Sequence, residues 1–422
     1  MSLASTVTFA NSGLVAPSSA FKSAMTERLC VWDDNDPAGR GKTTPEYVRV
    51  YEEFGKGGLG LVILGNIPVD RDAVEAKKNC IIDARSSYDP VESLRPAIAG
   101  AKAHGSLVLG QLSHGGRQVP TDVTEHPVSA SDVQCGPMMG MTFAKPRPLT
   151  VSEIDGLVEA WGYAAEVLYK AGADGTQLHA AHGYLLSQFL SGRTNRRTDD
   201  YGGSLENRYR FVARVLDEIR RKVPDQKFML SIKLNSADFD EGGLTPEESK
   251  QVCIWLDNAG VDLIELSGGS YESMALEHKK ESTRRREAYF VEFADAIRPV
   301  LKTAKLAVTG GFRSKQAMEQ ALADGAADLV GLARPLTAEP TLIRDMIAGK
   351  TAAARENKFP EPMQTGAGIV QIAAISKGEP IPDLSVQDEV ERVLEALKGG
   401  AMEVKPVKDQ NTSSYHKSED QY

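Results

Sequence analysis

The chain has 422 residues, and its 41 % hydrophobic and 25 % charged content is that of a folded globular protein and excludes a disordered one. Its 49 Lys and Arg against 58 Asp and Glu give a net charge of −9, which argues against nucleic acid or an anionic membrane as the main partner. Cysteines 30, 80, 135 and 253 form neither a C-x-x-C pair nor a closely spaced run. Zinc, iron–sulfur and disulfide frameworks are therefore not indicated, and a reducing, cytoplasmic setting is expected. No basic-then-apolar leader opens the chain and no apolar run reaches about 18 residues, so neither a signal peptide nor a membrane span is expected.

Apolar runs without strict alternation centre near residues 22–25, 60–64, 107–111, 175–179, 228–233, 262–266, 305–309 and 328–332, as strands buried on both faces would. Helical patterns fall at 45–54, 90–103, 151–171, 204–222, 246–259, 288–302, 314–324 and 336–348. Thr44-Pro45 and Thr245-Pro246-Glu247-Glu248 are helix start signals. Glycines between helix and strand, as in KAGADGTQLHA (170–180), read as left-handed caps. Eight strand–helix units predict an α/β fold, a single (β/α)8 barrel over residues 1–350. The pattern G-x-G-x-x-G at 55–60 follows a helix and opens a strand, the reverse of a dinucleotide fingerprint, so it reads as a helix cap.

Residues 113–150 form a long loop that a barrel would carry on its C-terminal, active-site face. Residues 351–402 read as an extension with one amphipathic helix at 385–398, and 403–422 as a disordered polar tail.

Five stretches could carry chemistry. His179 and His182, just past the fourth strand, sit on one face of a turn, as a pair of donors to an oxyanion, as satisfied structural histidines, or as a metal pair lacking an obvious third ligand. Tyr184 is a candidate acid or a packed aromatic. Gln111, in QLSHGGR (111–117), either pairs with a planar ring of alternating N–H and C=O groups or anchors the loop. Lys233 ends the fifth strand as a catalytic or anion-stabilising cation, or as a solvated strand end. Gly310, Gly311, Ala333 and Arg334 follow the last two strands, where barrels commonly bind phosphate. The arginine-rich stretch 191–210 reads as a hydrogen-bonded loop network rather than a solvated face.

Taken together, FKSAMTERL (21–29), LVILGN (61–66), QLSHGGRQ (111–118), PVSASDV (127–133), PRPLT (146–150), HAAHGYLLSQFLS (179–191), the N-x-R-x-D-x-Y-G-G-S-x-E-N-R-x-R run (195–210), SGGSYE (267–272), VTGGFR (308–313) and GLARPL (331–336) resemble the old yellow enzyme family of FMN-dependent ene-reductases. The resemblance covers about 21–345, and its 179–210 block is the most specific part. It implies FMN across the C-terminal mouth of the barrel. Ala24, Met25 and Thr26 would lie along the isoalloxazine, and Asn66, or Gly65 beside it, would approach by its backbone. Gln111 would pair with the pyrimidine edge, Lys233 would stand near N1 and the C2 carbonyl, and Gly310, Gly311, Ala333 and Arg334 would hold the phosphate. His179 and His182 would grip a substrate carbonyl oxygen, with Tyr184 the proton donor.

The implied reaction takes a hydride from NADH or NADPH through the flavin to the β-carbon of an activated alkene. Two positions depart from better-known members: Lys233 where arginine is usual, and Thr26 where one subgroup has cysteine. The alternatives are oxidation or double-bond isomerisation of a specialised metabolite at the same site, a non-redox aldolase-type barrel with a Schiff base on Lys233, and a flavin-binding module without turnover. The expected partner is a small molecule, without metal, nucleic acid or membrane, and a homo-oligomer is allowed.

Overall fold

Eight parallel strands, each short enough to alternate only a few side chains inward and outward, close on themselves in the computed structural model of the chain. The structure describes residues 1–138, 140–236, 238, 241–267, 291–360 and 363–398. Before the barrel, β1 (Val7–Thr8) and β2 (Val15–Ala16) form an antiparallel hairpin. Then follow β3 (Ala20–Lys22), α1 (Pro45–Gly55), β4 (Leu61–Pro68), α2 (Pro90–Lys102) and β5 (Leu107–Ser113). Short strands β6 (Val128–Ser129) and β7 (Arg147–Pro148) brace the long loop ahead of α3 (Val151–Ala171) and β8 (Gly175–Ala180). The chain continues through α4 (Leu185–Leu190), α5 (Leu205–Lys222), β9 (Met229–Asn235), α6 (Pro246–Asn258), β10 (Leu263–Ser267), α7 (Val291–Ile297) and β11 (Lys305–Thr309). It ends with α8 (Lys315–Ala323), β12 (Leu329–Leu332), α9 (Arg334–Ala338), α10 (Leu342–Ile347), α11 (Gln364–Lys377) and α12 (Gln387–Lys398). The barrel order is β3-β4-β5-β8-β9-β10-β11-β12, closing from β12 back to β3.

The period of two along each strand divides the core. Leu61 and Ile63 point inward with Phe21, Leu109, Met229, Leu263, Ala307 and Leu329, and the hairpin residues Val7, Phe9 and Ala16 plug the bottom of that inner core. Val62, Leu64, Val108, Ile232 and Ile264 point outward and pack with the helices. The hairpin is tied to the N-terminal end of β10, where Ser12 N–H donates to Asp262 at 2.9 Å. Helix α3 shows why boundaries were readable. A Thr150–Glu153 capping box starts it, and Gly172, at φ 96°, ends it with its N–H on Leu168 O.

Several elements differ from the sequence expectation. The first strand stops at Lys22, so Ser23–Thr26 leave it as irregular chain across the mouth. The helix expected over 336–348 is broken in two around Pro340, which cannot continue the ladder. The helix expected over 288–302 is described from Val291 and ends in a tight turn at Arg298–Val300. The hairpin, α4 and α11 were not expected. All six residues of α4 are buried, and α11 packs against α1, α9 and α12, so neither shows a one-sided apolar stripe. Most of the SGGSYE motif and the tail 403–422 lie outside the described residues.

Phe9 is wholly buried in the plug. Phe9→Ala should lower the unfolding free energy by about 3–5 kcal/mol, read from the urea midpoint. A loss under about 1 kcal/mol would show that the hairpin does not close the inner core.

Candidate active site

Above the apolar plug the inward positions turn polar. The register pairs Gln111 with Gln177 across β5 and β8, and places His179, Lys233 and Glu265 side by side on β8, β9 and β10. Lys233 Nζ lies 2.9 Å from Glu265 Oε1 and donates to Ser23 Oγ at 2.9 Å. Glu265 also accepts from Ser23 at 2.6 Å and from Gln177 at 2.9 Å. Both charges are buried, at 5 % and 0 % exposure, so each depends on the other. Burial alone would push the Glu265 carboxyl up, but Lys233 and the hydroxyl donors hold it below the usual carboxylate range. Gln111 Nε2 donates to Gln177 at 2.7 Å, which leaves Gln111 Oε1 as the atom able to accept from a ligand N–H.

The strand β8 delivers the histidines. His179 is its penultimate residue, and the chain then turns so tightly that His182 adopts φ 58° and Gly183 φ 79°. That left-handed backbone is costly for a non-glycine residue, of order 1–3 kcal/mol. His182 N–H on Asn235 Oδ1 at 3.1 Å helps to hold it. The rings of His179 and His182 meet edge to face at 5.2 Å, and Tyr184 stacks on His179 at 4.2 Å. His179 Nδ1 accepts from Ala181 N–H at 3.4 Å, which puts the ring proton on Nε2. His182 Nε2 is 2.7 Å from Ser267 Oγ, and a donating Ser267 leaves its proton on Nδ1. Both rings stay neutral far below their usual range. Burial is the main cause, helped at His179 by His182 and Lys233 and at His182, which falls to about 3, by Lys233. A neutral imidazole carries one N–H, on Nε2 at His179, and at His182 it is open to an incoming oxygen when Ser267 is the donor.

Ser23, Ala24, Met25 and Thr26 run beside this set. A bulge in β4 between Leu64 and Ile67 turns Asn66 toward them. At its start Gly65 takes φ 87°, where a Cβ would overlap Ile67 at 2.6 Å. Gly65 N–H is committed to Tyr51 Oη at 2.9 Å, and the Asn66 side chain donates to Glu75 at 3.0 Å and to Tyr184 Oη at 3.3 Å. The sequence expectation gave position 66 a backbone role only, and the structure gives its side chain a network of its own. Opposite, β11 and β12 pair through Thr309 and Gly331, so Gly310, Gly311, Ala333 and Arg334 leave the barrel side by side. Gly310 and Gly311 have φ of 128° and 87°, open to glycine and strained for other residues. Arg334 donates to Gln364 of α11 at 2.7 Å, so the C-terminal extension braces that corner.

Two other readings resolve. His114 packs toward α3 and Arg117 toward the long loop. His114 packs on Trp161 at 6.2 Å with its pKa lowered by burial to about 4, and Arg117 donates to Gln134 O at 3.0 Å, anchoring the long loop. In the arginine-rich stretch, Arg197 donates to Ala130 O at 3.1 Å and Leu149 O at 2.6 Å, and Arg208 holds Leu190 O and Glu248. Sequence reasoning missed Glu265, Glu75, Gln177 and the buried pair Lys22–Glu27, 3.5 Å apart. The available signal was a charged or amide residue inside an otherwise apolar parallel strand, as in LIELS and AFK.

A model of the NADH:flavin oxidoreductase / NADH oxidase family matches residues 23–352. The chain belongs to that family. It is 38 % identical over 393 residues to an NADH-dependent flavin oxidoreductase of Aspergillus parasiticus, covering 91 % of this chain and 88 % of the relative. The fold superposes on an old yellow enzyme homologue from Zymomonas mobilis with TM-score 0.70 at 22 % identity, over 86 % of this chain and 99 % of the other. It superposes on 2-naphthoyl-CoA reductase with TM-score 0.75 at 21 % identity, over 92 % of this chain, which spans 57 % of that longer one. As a family member the chain is an FMN-dependent oxidoreductase with a reduced nicotinamide as reductant.

The mouth suits that cofactor. Among the described residues Gln111 Oε1 has no partner and could accept from a ring N–H, Lys233 and Glu265 form an oriented ion pair nearby, and the Gly310, Gly311 and Arg334 corner could take a phosphate. Among the described residues, no helix is long and apolar enough to cross a membrane.

A group whose folded pKa is depressed contributes stability above its unfolded pKa and loses it as pH falls toward the folded value. For His182 that window runs from the ordinary 6.5 down to about 3. The protein should therefore lose Tm steadily below about pH 6.5, and His182→Asn should lose less between pH 7 and 5. Equal losses in both proteins would show that His182 is not held neutral.

Proposed function

We propose that this family member reduces the C=C bond of an α,β-unsaturated carbonyl compound or another activated alkene. The observation that carries the reading is the convergence of His179, His182 and Tyr184 on one point of the mouth, from a single strand end and the turn after it. FMN, reduced by NADH or NADPH, supplies the hydride for the β-carbon. The two histidines each hold one N–H toward the substrate's carbonyl oxygen, where negative charge grows as the alkene is reduced. Their neutrality favours this role, since a protonated ring would give its proton away to the oxygen. Tyr184 then protonates the α-carbon from the side of His179. Thr26, Met25 and Ala24 would hold the flavin along one edge, Gln111 and Lys233 would hold its pyrimidine side, and Gly310, Gly311, Ala333 and Arg334 would hold its phosphate.

The Schiff-base alternative on Lys233 is disfavoured by its surroundings. Its Nζ is engaged by a buried carboxylate and by Ser23 Oγ, both at 2.9 Å, whereas imine formation needs an amine free to reach a carbonyl carbon. Running the same groups in reverse, as oxidation or isomerisation of a specialised metabolite, uses the identical constellation and depends on the substrate offered. We place this activity in the cytoplasm on a small molecule.

Anaerobic NADH and NADPH should bleach the flavin bands, and a panel of enones, enals and nitroalkenes should restore them. Tyr184→Phe should cut turnover with 2-cyclohexenone by about 10²–10⁴-fold. Unchanged turnover in that variant would remove Tyr184 from the mechanism. Substituting either histidine should cost about 2.7–4 kcal/mol of barrier.

A further inference from the structure

Glu75 gathers one end of the active site and the proposed chemistry does not use it. It lies on the long connection between β4 and α2, at 4 % exposure. Its Oε1 accepts three hydrogen bonds, from Asn79 Nδ2 at 2.7 Å, Thr26 Oγ1 at 2.9 Å and Asn66 Nδ2 at 3.0 Å. Asn79 Nδ2 also donates to Asn66 Oδ1 at 2.9 Å. These contacts fix which way the Asn66 amide faces. Its carbonyl oxygen is taken by Asn79, and its NH2 is turned to Glu75, with Tyr184 Oη 3.3 Å away. An amide in the opposite orientation would set its oxygen against Glu75 Oε1, already an acceptor for Asn79 and Thr26, and its NH2 against the donating Asn79 Nδ2.

We infer that Asn66, oriented by Glu75 and Asn79, is a positioning residue that donates a hydrogen bond to the Tyr184 phenol oxygen and so makes it a stronger acid. The inference rests on the proton-donor role proposed for Tyr184. When Tyr184 protonates the α-carbon, its O–H bond breaks and that electron pair stays on the phenol oxygen. The enolate's C=C electron pair forms the new C–H bond. Negative charge thus appears on the atom that Asn66 Nδ2–H faces, and a hydrogen bond to the charged form favours that form. If the amide flipped, its oxygen would instead accept the phenol proton and retain it.

The charged and titratable groups around the phenol favour this division of labour. His179 stacks on the Tyr184 ring and is neutral, with His182 beyond it, and Lys233 is engaged by Glu265. Asn66 Nδ2 links Glu75 to Tyr184, donating toward both. Burial raises the Glu75 carboxyl, against the three donors that lower it. Among the described residues its Oε2 and Asn79 Oδ1 are buried without protein partners.

The test uses the holoenzyme with 2-cyclohexenone and 13Cζ-tyrosine labelling, the Tyr184 signal being the one missing from Tyr184→Phe. In Asn66→Ala the Tyr184 signal should titrate about one pH unit higher. Single-turnover alkene reduction should slow about tenfold more than flavin reduction does. Glu75→Leu, which releases the amide, should behave alike, while Glu75→Gln, whose Oε1 can still accept all three bonds, should retain most of the rate. Adding Asn66→Ala to Tyr184→Phe should cause no further loss. Should Asn66→Ala not fold, Asn79→Ala, which lets the amide rotate, carries the same expectations. An unmoved Tyr184 titration, or an equal Asn66→Ala loss in the Tyr184→Phe background, overturns the inference. If Tyr184→Phe alone retains alkene reduction, the parent reading fails, and the titration still reports whether Asn66 bonds the phenol.

Discussion

Lys233 and Glu265 face one another from neighbouring strands inside a closed barrel, and the mouth is organised around that pair. Neither charge reaches bulk water, so each would be strongly unfavourable alone, and removing one partner of such a pair typically costs about 3–5 kcal/mol. The pair in turn fixes Ser23 and Gln177, and Gln177 fixes Gln111. The irregular segment Ser23–Thr26, which the proposed function lays along the flavin, is thereby attached at its first residue to the opposite side of the barrel. A lysine expected to stand as a free cation is half of a neutral unit, so its influence on a bound ring is that of an oriented dipole more than a net charge.

The same logic recurs at the other edge of the mouth. There the β4 bulge turns Asn66 inward, and Glu75 collects Thr26, Asn66 and Asn79 on one oxygen. Behind it, Tyr51 joins Gly65 N–H to Glu27, which pairs with Lys22. Burial brings Glu27 up to about 7 and Lys22 down to about 8, so this second pair is far less polarised toward the ionised state than the usual values would give. Phe21 points into the barrel, so Lys22 beside it turns outward over Tyr51 and Phe54 of α1, whereas Lys233 and Glu265 point inward.

The barrel was legible because its signals are local. Thr44, Thr150 and Thr245 cap helices that start where the sequence places them, and Gly172 ends α3 in the left-handed conformation expected of it. The histidine turn and Gln111 were legible as motif residues at strand ends. Elements without a one-sided pattern were not. Helix α4 is buried all round, α11 is packed on several sides, and the N-terminal hairpin strands are two residues each. Glu265 and Lys22 were overlooked because a single charge in an apolar strand has no partner in sequence: theirs lie at 233 and 27.

The sequence alone determined that the chain would wind eight times between strand and helix, and that imidazoles, a phenol, an amide and a lysine would stand at strand ends. Caps, breakers and a two-residue alternation act over a few neighbouring residues, so they are written along the chain. What only the tertiary structure decided is the state of those groups: that His179 Nδ1 is an acceptor, that Lys233 is paired, and which way Asn66 turns its amide. Those depend on closure of the barrel, which brings residues 23 and 265 within 2.6 Å and residues 66 and 184 within 3.3 Å. Burial and a hydrogen-bond partner, not residue type, set the charge and direction of a polar side chain.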